Sequence, residues 1–292
     1  MGESLAILAA VLFALGTVLQ QKGTLSTAAG DDDPRFLLQI LHRPVWLAGT
    51  ILQSAGWGVQ AAALDRGSLV VVQSLTALSL VIALPLGALL TNQHIGRRAL
   101  SGAVLTVVGI IFFISAGQPQ GGTNHPEAAA WWWACVTIAV LVLVLFTLGR
   151  RCTGATKALV FGAAAGLGYG LQAAVTKTFV TQIGGGVLAL LGSWTIYVLI
   201  LSAVSGFILQ QSALKTGVLA PAMASSNSVT LFSSVILGIV VYGETLSRSG
   251  ASHTGCTFIG LVVAVVGIAL LAGSEEPVAA AEQPIRHPEV PH

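Results

Sequence analysis

Gly56–Leu69 reads GWGVQAAALDRGSL, and Gly206–Leu219 reads GFILQQSALKTGVL. When the two stretches are compared without gaps, these identical residues coincide: Gly56 with Gly206, Gln60 with Gln210, Ala63 and Leu64 with Ala213 and Leu214, Gly67 with Gly217, and Leu69 with Leu219. Each stretch holds the end of one apolar run, a short turn with one or two charges, and the start of the next run. Two such copies in a very apolar chain predict an internally duplicated membrane transporter.

The composition places the chain in a membrane. Of its 292 residues, 54% are hydrophobic and 8% are charged, and the mean hydropathy is +0.86. Soluble domains carry about 25% charged residues, so this chain has too little polar surface for a soluble body of its size. A bundle of membrane-spanning helices is therefore expected. The net charge of +2 is small, and no basic cluster with interleaved aromatic residues is present, so we expect no nucleic-acid partner. The three cysteines form no CxxC pair.

Nine apolar runs separated by polar turns predict nine transmembrane helices. They lie at residues 4–20, 46–64, 68–90, 99–116, 129–148, 157–176, from Trp194 onward, 219–242 and 254–273. Pro85 inside the third run predicts a kink. A short apolar segment after Pro34 is too brief to span and is expected at the membrane interface. Residues 274–292 are rich in Glu, Pro, Ala and His, which predicts a disordered tail.

The duplication extends beyond the two quoted stretches. Matching residues occur in the first and sixth runs, and again in the fourth and ninth: Gly16, Leu19 and Gln20 with Gly168, Leu171 and Gln172, and Gly102 and Gly109 with Gly260 and Gly267. The predicted fold is an all-α integral membrane protein with two four-helix repeats, 1–116 and 152–273, joined by a fifth span within 117–151. Because that one span separates the repeats, the second enters the membrane from the opposite side, and the repeats are inverted.

The distribution of Lys and Arg predicts the orientation. With the N-terminus outside, the cytoplasmic segments hold ten of these residues, and the outer segments hold three, namely Arg66, Lys177 and Arg248. We therefore expect an outer N-terminus and a cytoplasmic C-terminus, in the plasma membrane.

Uncharged polar residues inside the predicted spans are the candidate binding residues. Polar groups at this depth are costly and usually face a cavity or another helix. The candidates are Gln20, Gln53, Gln60, Gln73, Gln172, Gln210, Gln211 and Asn227. Amides offer donors and acceptors together, so a cavity that they line would suit a small neutral or zwitterionic organic solute. The alternative is that these groups hold helices together, which contributes about 0.6 kcal/mol per hydrogen bond.

The charged residues suggest how transport is driven. A proton-coupled carrier normally needs a buried Asp, Glu or His. The charges near the spans, which include Lys22, Lys177, Lys215 and Glu244, are interpreted as lying at helix ends or turns. We therefore expect facilitated diffusion or exchange rather than proton coupling.

Several stretches resemble the drug/metabolite transporter superfamily, of the EamA-like type, and most closely its NIPA-type magnesium transporter group. The resemblance rests on these stretches: LQQKG at Leu19–Gly23, VWLAG at Val45–Gly49, the run at Ser68–Leu90, LQQSALKTGVLAPAM at Leu209–Met223 and YGETL at Tyr242–Leu246. The resemblance implies repeated four-helix units, nine spans and a transport function. The Glu of the superfamily's Gly-Glu motif is present as Glu244, but Gln93 takes its place in the first repeat.

The resemblance also implies a rival substrate, magnesium or another divalent cation. The magnesium group carries a Glu within the second span, whereas this chain has Ser54, Ala55 and Gly56 there. Asp65 and Glu244 would then be the metal ligands, and otherwise no metal site is expected. A non-transporting subunit in envelope or lipid assembly is a further alternative. No HExxH or GxSxG motif is present, so we expect neither an enzyme nor a cofactor. The expected partners are the solute or cation and membrane lipid, and the expected assembly is a monomer or homodimer.

Overall fold

The structure is a computed structural model that describes residues 1–25, 43–91, 96–117, 119–123, 126–214, 216, 219–245 and 250–272. The short segment after Pro34 and the predicted tail therefore lie outside the described residues. The helices are α1 Gly2–Leu25, α2 Pro44–Arg66, α3 Leu69–Thr76, α4 Ser79–Thr91, α5 Arg97–Gly117, α6 Ala128–Gly149, α7 Gly154–Gln182, α8 Val187–Gly192, α9 Trp194–Leu214, α10 Leu219–Val240 and α11 Gly250–Ala272.

Two short strands pair with each other and link the segments that follow two of the helices. β1 Gln120–Gly121 follows α5, and β2 Glu244–Thr245 follows α10. They are antiparallel, with Gln120 opposite Thr245 and Gly121 opposite Glu244. This pairing ties the segment after α5 to the turn after α10.

The helices have the length and composition of an integral membrane protein. Within the described residues, five segments are long and apolar enough to cross a membrane: Gly2–Gln20, Leu69–Gly87, Leu100–Gly117, Ala128–Gly149 and Gly154–Gly185. The sequence of α6 is apolar on all sides, and only 11% of its spanning segment is buried. An apolar helix surface of this extent suits contact with lipid. The all-α class thus agrees with expectation, and the count of nine spans stays a prediction.

The third apolar run is interrupted, but not at the proline. Pro85 lies inside α4, which continues through it to Thr91, and the kink expected there stays a prediction. The helix stops instead at Ala77 and Leu78. There the carbonyl of Gln73 accepts from both the Ala77 N–H, at 3.1 Å, and the Thr76 hydroxyl, at 3.0 Å. The Leu78 N–H turns to the carbonyl three residues back, which tightens the last turn of α3.

Small residues let the main helix pairs pack closely. In α7, Gly162 lies against the backbone carbonyl of Ala222 and Gly166 against that of Ser226, both in α10. A Cβ on either glycine would lie 2.5 Å from that oxygen. Gly162 and Gly166, four residues apart in the sequence, therefore form a close-contact seam with α10.

The glycines of α5 and α11 face each other within one chain. A Cβ on Gly260 would lie 2.5 Å from the Phe113 backbone nitrogen and 3.0 Å from the Gly109 carbonyl oxygen. A Cβ on Gly267 would lie 2.8 Å from the Gly102 carbonyl oxygen. These residues join the last helices of the two sequence repeats.

The other helix contacts follow the same correspondence. The first helix of each sequence repeat packs on the second, α1 on α2 and α7 on α9. Each first helix also packs on the third run of its own repeat, α1 on α3 and α4, and α7 on α10.

Candidate functional site

The predicted amides occupy α1, α2, α3, α7, α9 and α10, and their burial differs. Gln73, Gln172 and Gln210 are buried, and Gln20, Gln53, Gln60 and Asn227 are half-buried. Gln211 belongs to α9, but its side chain is outside the described set. Gln20 donates to the Thr50 hydroxyl at 3.2 Å, between α1 and α2. This one contact has the character of helix-to-helix binding.

Three of the amides hold a polar atom that no described residue satisfies. These atoms are Oε1 of Gln53, Nε2 of Gln73 and Oε1 of Gln172, and each is buried. Most buried polar groups in proteins find a hydrogen-bond partner, so each exception calls for an explanation. Together the three atoms offer one amide donor and two carbonyl acceptors on α2, α3 and α7.

A buried ion pair is the feature that the sequence interpretation missed. Nζ of Lys177 lies 2.8 Å from Oε1 of Glu244, and the two side chains are 6% and 0% exposed. The sequence predicts both residues at helix ends or turns. Glu244 does lie in the turn region after α10, but Lys177 lies inside α7, and both are in the interior. An ionisable pair buried in a membrane protein is a functional candidate by default.

The carboxylate of Glu244 also holds the start of α3. Its Oε1 accepts from the Leu69 N–H at 2.5 Å, and its Oε2 accepts from the Val70 N–H at 2.9 Å. The Ser68 hydroxyl accepts from the Val71 N–H at 3.1 Å as an ordinary N-cap. A negative charge at this position is favoured by the unpaired N–H groups and the dipole of the helix.

An aromatic ring lies against the ion pair, and a second ring packs on the first. Nζ of Lys177 lies 4.6 Å from the ring centroid of Tyr242, a cation–π distance. The Tyr242 hydroxyl donates to the Ala174 carbonyl at 2.6 Å and lies 2.7 Å from the Thr178 hydroxyl. The Trp131 ring packs edge-on against Tyr242, with 5.9 Å between centroids.

A cavity of about 620 Å³ opens beside Lys177. Its walls come from the start of α1, the turn between α2 and α3, the first turn of α3 and the segment after α5. The lining includes Glu3, Asp65, Arg66, Ser68, Pro119 and Lys177. A smaller cavity of about 280 Å³ lies near the break after α3 and has an apolar wall that includes Leu75, Leu78 and Ile110.

The two carboxylates named for a metal have different surroundings. Asp65 is exposed and lines the larger cavity, whereas both oxygens of Glu244 accept hydrogen bonds and one contacts Lys177. In the described part of the chain, no group of three or more His, Cys, Asp or Glu side chains could hold a metal ion. Because Mg²⁺ prefers about six oxygens, this arrangement favours a structural role for Glu244.

Comparison with known proteins gives one relative. No protein-family model matches the chain, and no solved structure matches it. The chain is 30% identical over 277 residues to an uncharacterized protein of Corynebacterium glutamicum. The alignment covers 93% of this chain and 95% of that protein, so the similarity extends over almost the whole of both. The chain therefore belongs to the same protein family as this Corynebacterium glutamicum protein.

Proposed function

We propose that the chain is a multi-pass transporter of the drug/metabolite transporter type, in the plasma membrane, that moves a small neutral or zwitterionic organic solute. Its nine spans form two inverted repeats with the N-terminus outside. Transport proceeds by facilitated diffusion or exchange, and amides from both repeats line the path. The matching packing of α1 on α2 and of α7 on α9 supports the repeat.

The observation that carries this proposal is the pair of buried amides Gln73 and Gln172. They are 5% and 7% exposed, they lie in different sequence repeats, and each keeps one polar atom without a partner among the described residues. Nε2 of Gln73 is a donor and Oε1 of Gln172 is an acceptor. A neutral solute with both kinds of group satisfies the two atoms, whereas a bare cation satisfies only the acceptor.

The alternative, that these amides only bind helices together, has a measurable consequence. An amide that binds helices has its polar atoms paired, so its loss destabilises the protein. An amide with an unpaired buried atom can be replaced by an apolar side chain of similar shape at little cost. Gln172→Met is such a replacement, because methionine is similar in size and carries no amide.

Gln182 is the matched control, because its Oε1 accepts from the hydroxyls of Ser193 and Thr195, both at 2.7 Å. We expect Gln182→Met to lower the melting temperature of the purified protein and to leave transport per folded molecule unchanged. We expect Gln172→Met to keep the melting temperature and to abolish transport.

The test uses proteoliposomes that hold the purified full chain and are preloaded with a mixture of labelled neutral and zwitterionic metabolites. Protein-dependent exchange of any component is measured by mass spectrometry and identifies the transported solute. The variants are then assayed with this solute. Absence of exchange by folded protein would overturn the proposal, as would full activity of Gln172→Met. Protein-dependent Mg²⁺ entry, read with a trapped fluorescent indicator, would also overturn it and support the cation alternative.

A further inference from the structure

The larger cavity carries charges of both signs, and they lie at different depths. Lys177 and Arg66 supply cationic groups, and Glu3 and Asp65 supply carboxylates. Glu3, Asp65 and Arg66 are exposed, whereas Lys177 is 5% exposed. The cavity therefore has a charged mouth and a buried ammonium at its inner end.

The ammonium of Lys177 has N–H donors that no described residue accepts. An ammonium group carries three N–H donors, and in the described structure one of them is accepted, by Glu244 at 2.8 Å. The ring of Tyr242 covers another side of the group at 4.6 Å without accepting a conventional hydrogen bond. A buried cation with unused donors is costly unless an acceptor reaches it. Because Lys177 lines the cavity, an anionic group inside the cavity can supply that acceptor.

Glu244 does not take up the remaining N–H donors of Lys177, because its two oxygens also accept hydrogen bonds from the Leu69 and Val70 N–H groups of α3. A ligand carboxylate can take the spare donors of Lys177 while the ion pair stays intact. A charge-assisted hydrogen bond of this kind is among the stronger contacts available in a protein.

The carboxylates at the mouth require a positive group on the same ligand. Lys177–Glu244 is the sole ion pair among the described residues, so neither Glu3 nor Asp65 is neutralised by a described cation. A pure anion would leave both carboxylates without an ion-pair partner, although Arg66 at the same mouth offsets part of their charge. A zwitterion brings an ammonium for Asp65 or Glu3 together with a carboxylate for Lys177.

We propose that this cavity binds a small zwitterion of the amino-acid type, with its carboxylate on Lys177 and its ammonium on Asp65 or Glu3. The volume of about 620 Å³ lies in the usual range for small-molecule sites. Val71, Val72 and Pro119 supply an apolar wall for the rest of the ligand. This inference rests on the proposed function, because it assigns the solute class and the site where the solute first binds.

The binding test uses the full chain, purified in detergent, and each of the standard amino acids. Calorimetry measures the dissociation constant, first for the amino acids and then for two analogues of the tightest binder. One analogue is its carboxamide, which lacks the carboxylate, and the other is its deaminated acid, which lacks the ammonium. We expect each analogue to bind about tenfold more weakly or worse, since each loses one charge-assisted contact.

Variants of the chain assign the two charges. Of Asp65→Asn and Glu3→Gln, the one that removes the partner of the ligand ammonium should weaken binding of the amino acid about tenfold, and neither should weaken binding of the deaminated acid. The double variant Lys177→Met, Glu244→Gln removes both buried charges together and avoids an unpaired one, and it should abolish binding. Glu127→Gln, a change to an exposed carboxylate before α6 and outside the cavity, is the control and should bind normally. If the double variant does not fold, Asp65→Asn and Glu3→Gln, both at exposed positions, carry the test.

The outcomes separate this inference from the transport proposal. Absence of amino-acid binding, equal binding of the carboxamide, or normal binding by both Asp65→Asn and Glu3→Gln would overturn the inference. Amino-acid binding without exchange in proteoliposomes would leave this site and remove the transport proposal. Exchange of the solute that neither Asp65→Asn nor the double variant changes would leave transport and remove this site. Tight Mg²⁺ binding that Asp65→Asn weakens would overturn the assignment to zwitterions.

Discussion

The ammonium of Lys177 lies 2.8 Å from the carboxylate of Glu244, and the two residues are 5% and 1% exposed. They come from distant parts of the sequence, α7 and the strand after α10. Through Glu244 the pair also reaches the first two backbone N–H groups of α3. Both residues of the pair belong to the second sequence repeat, and the hydrogen bonds of Glu244 connect the pair to α3 in the first.

The two halves of this pair should differ in their effect on stability. Glu244→Gln leaves the Lys177 ammonium buried without its negative partner, and we expect a loss of about 3–5 kcal/mol. Lys177→Met leaves the Glu244 carboxylate, which still accepts two N–H groups at a helix N-terminus. We therefore expect the smaller loss for Lys177→Met. Thermal unfolding of the purified protein in detergent gives the order of the two effects.

The double variant is the control for this order. Removing both charges together avoids an uncompensated buried ion, so the combined loss should be smaller than the sum of the single losses. Additive losses, or a greater loss for Lys177→Met, would show that the pair and the α3 N-terminus do not act together.

The Tyr242 hydroxyl should contribute a smaller but measurable amount. It donates to the Ala174 carbonyl at 2.6 Å from a buried ring, so Tyr242→Phe should cost about 1 kcal/mol. Tyr197 is the matched control, because its hydroxyl also donates to a backbone carbonyl, that of Leu191 at 2.8 Å, but its side chain is exposed. Tyr197→Phe should change the melting temperature less. An equal effect of the two changes would contradict a special role for the Tyr242 contact.

The contact between α5 and α11 should not tolerate a methyl group. A Cβ on Gly109 would lie 2.7 Å from the Cα of Ala264 and would also meet its backbone nitrogen. Gly109→Ala should therefore destabilise the protein by about 1–3 kcal/mol through overpacking. Gly58→Ala is the control, because a Cβ there meets nothing within 4 Å. It should be neutral, or stabilise by up to about 1 kcal/mol through helix propensity.

The measurement is the melting temperature of each variant in the same detergent. The position of Gly109 inside one chain also predicts that Gly109→Ala acts at any protein concentration. Destabilisation that grows on dilution would instead place this glycine at an interface between two chains.

The sequence predicted well those features that repeat along the chain. Apolar runs located the helices, and the matched glycines of the fourth and ninth runs are in close contact between α5 and α11. The four glycines of the fourth and ninth runs could be paired by repeat symmetry, but sequence alone left open whether they meet within one chain or between two. The spacing of residues shows which face of a helix carries small side chains, but it does not show which helix packs against that face.

The ion pair was out of reach of the same reasoning. Lys177 and Glu244 each stand near the end of an apolar run, where charged residues usually face water, and nothing local shows that they meet. One feature could have indicated the buried position of Lys177. The helix does not end at Thr176, where the apolar run ends, but continues through Lys177 to Gln182. The break after Thr76 was missed for a similar reason, because it depends on how the Gln73 carbonyl is shared and not on the more visible Pro85.

Transport of the solute should not be driven uphill by a pH gradient. Glu244 is the one buried carboxylate in the described part of the chain, and both of its oxygens are already engaged by Leu69, Val70 and Lys177. No further buried Asp, Glu or His is found among those residues to carry a proton with the solute. We therefore expect the solute found by exchange to equilibrate across proteoliposomes and not to accumulate. The check is uptake with an imposed pH gradient, compared with uptake at equal pH and with a potassium diffusion potential as control. Accumulation above the external concentration that collapses with the pH gradient would show coupling to protons and would direct attention to Glu244.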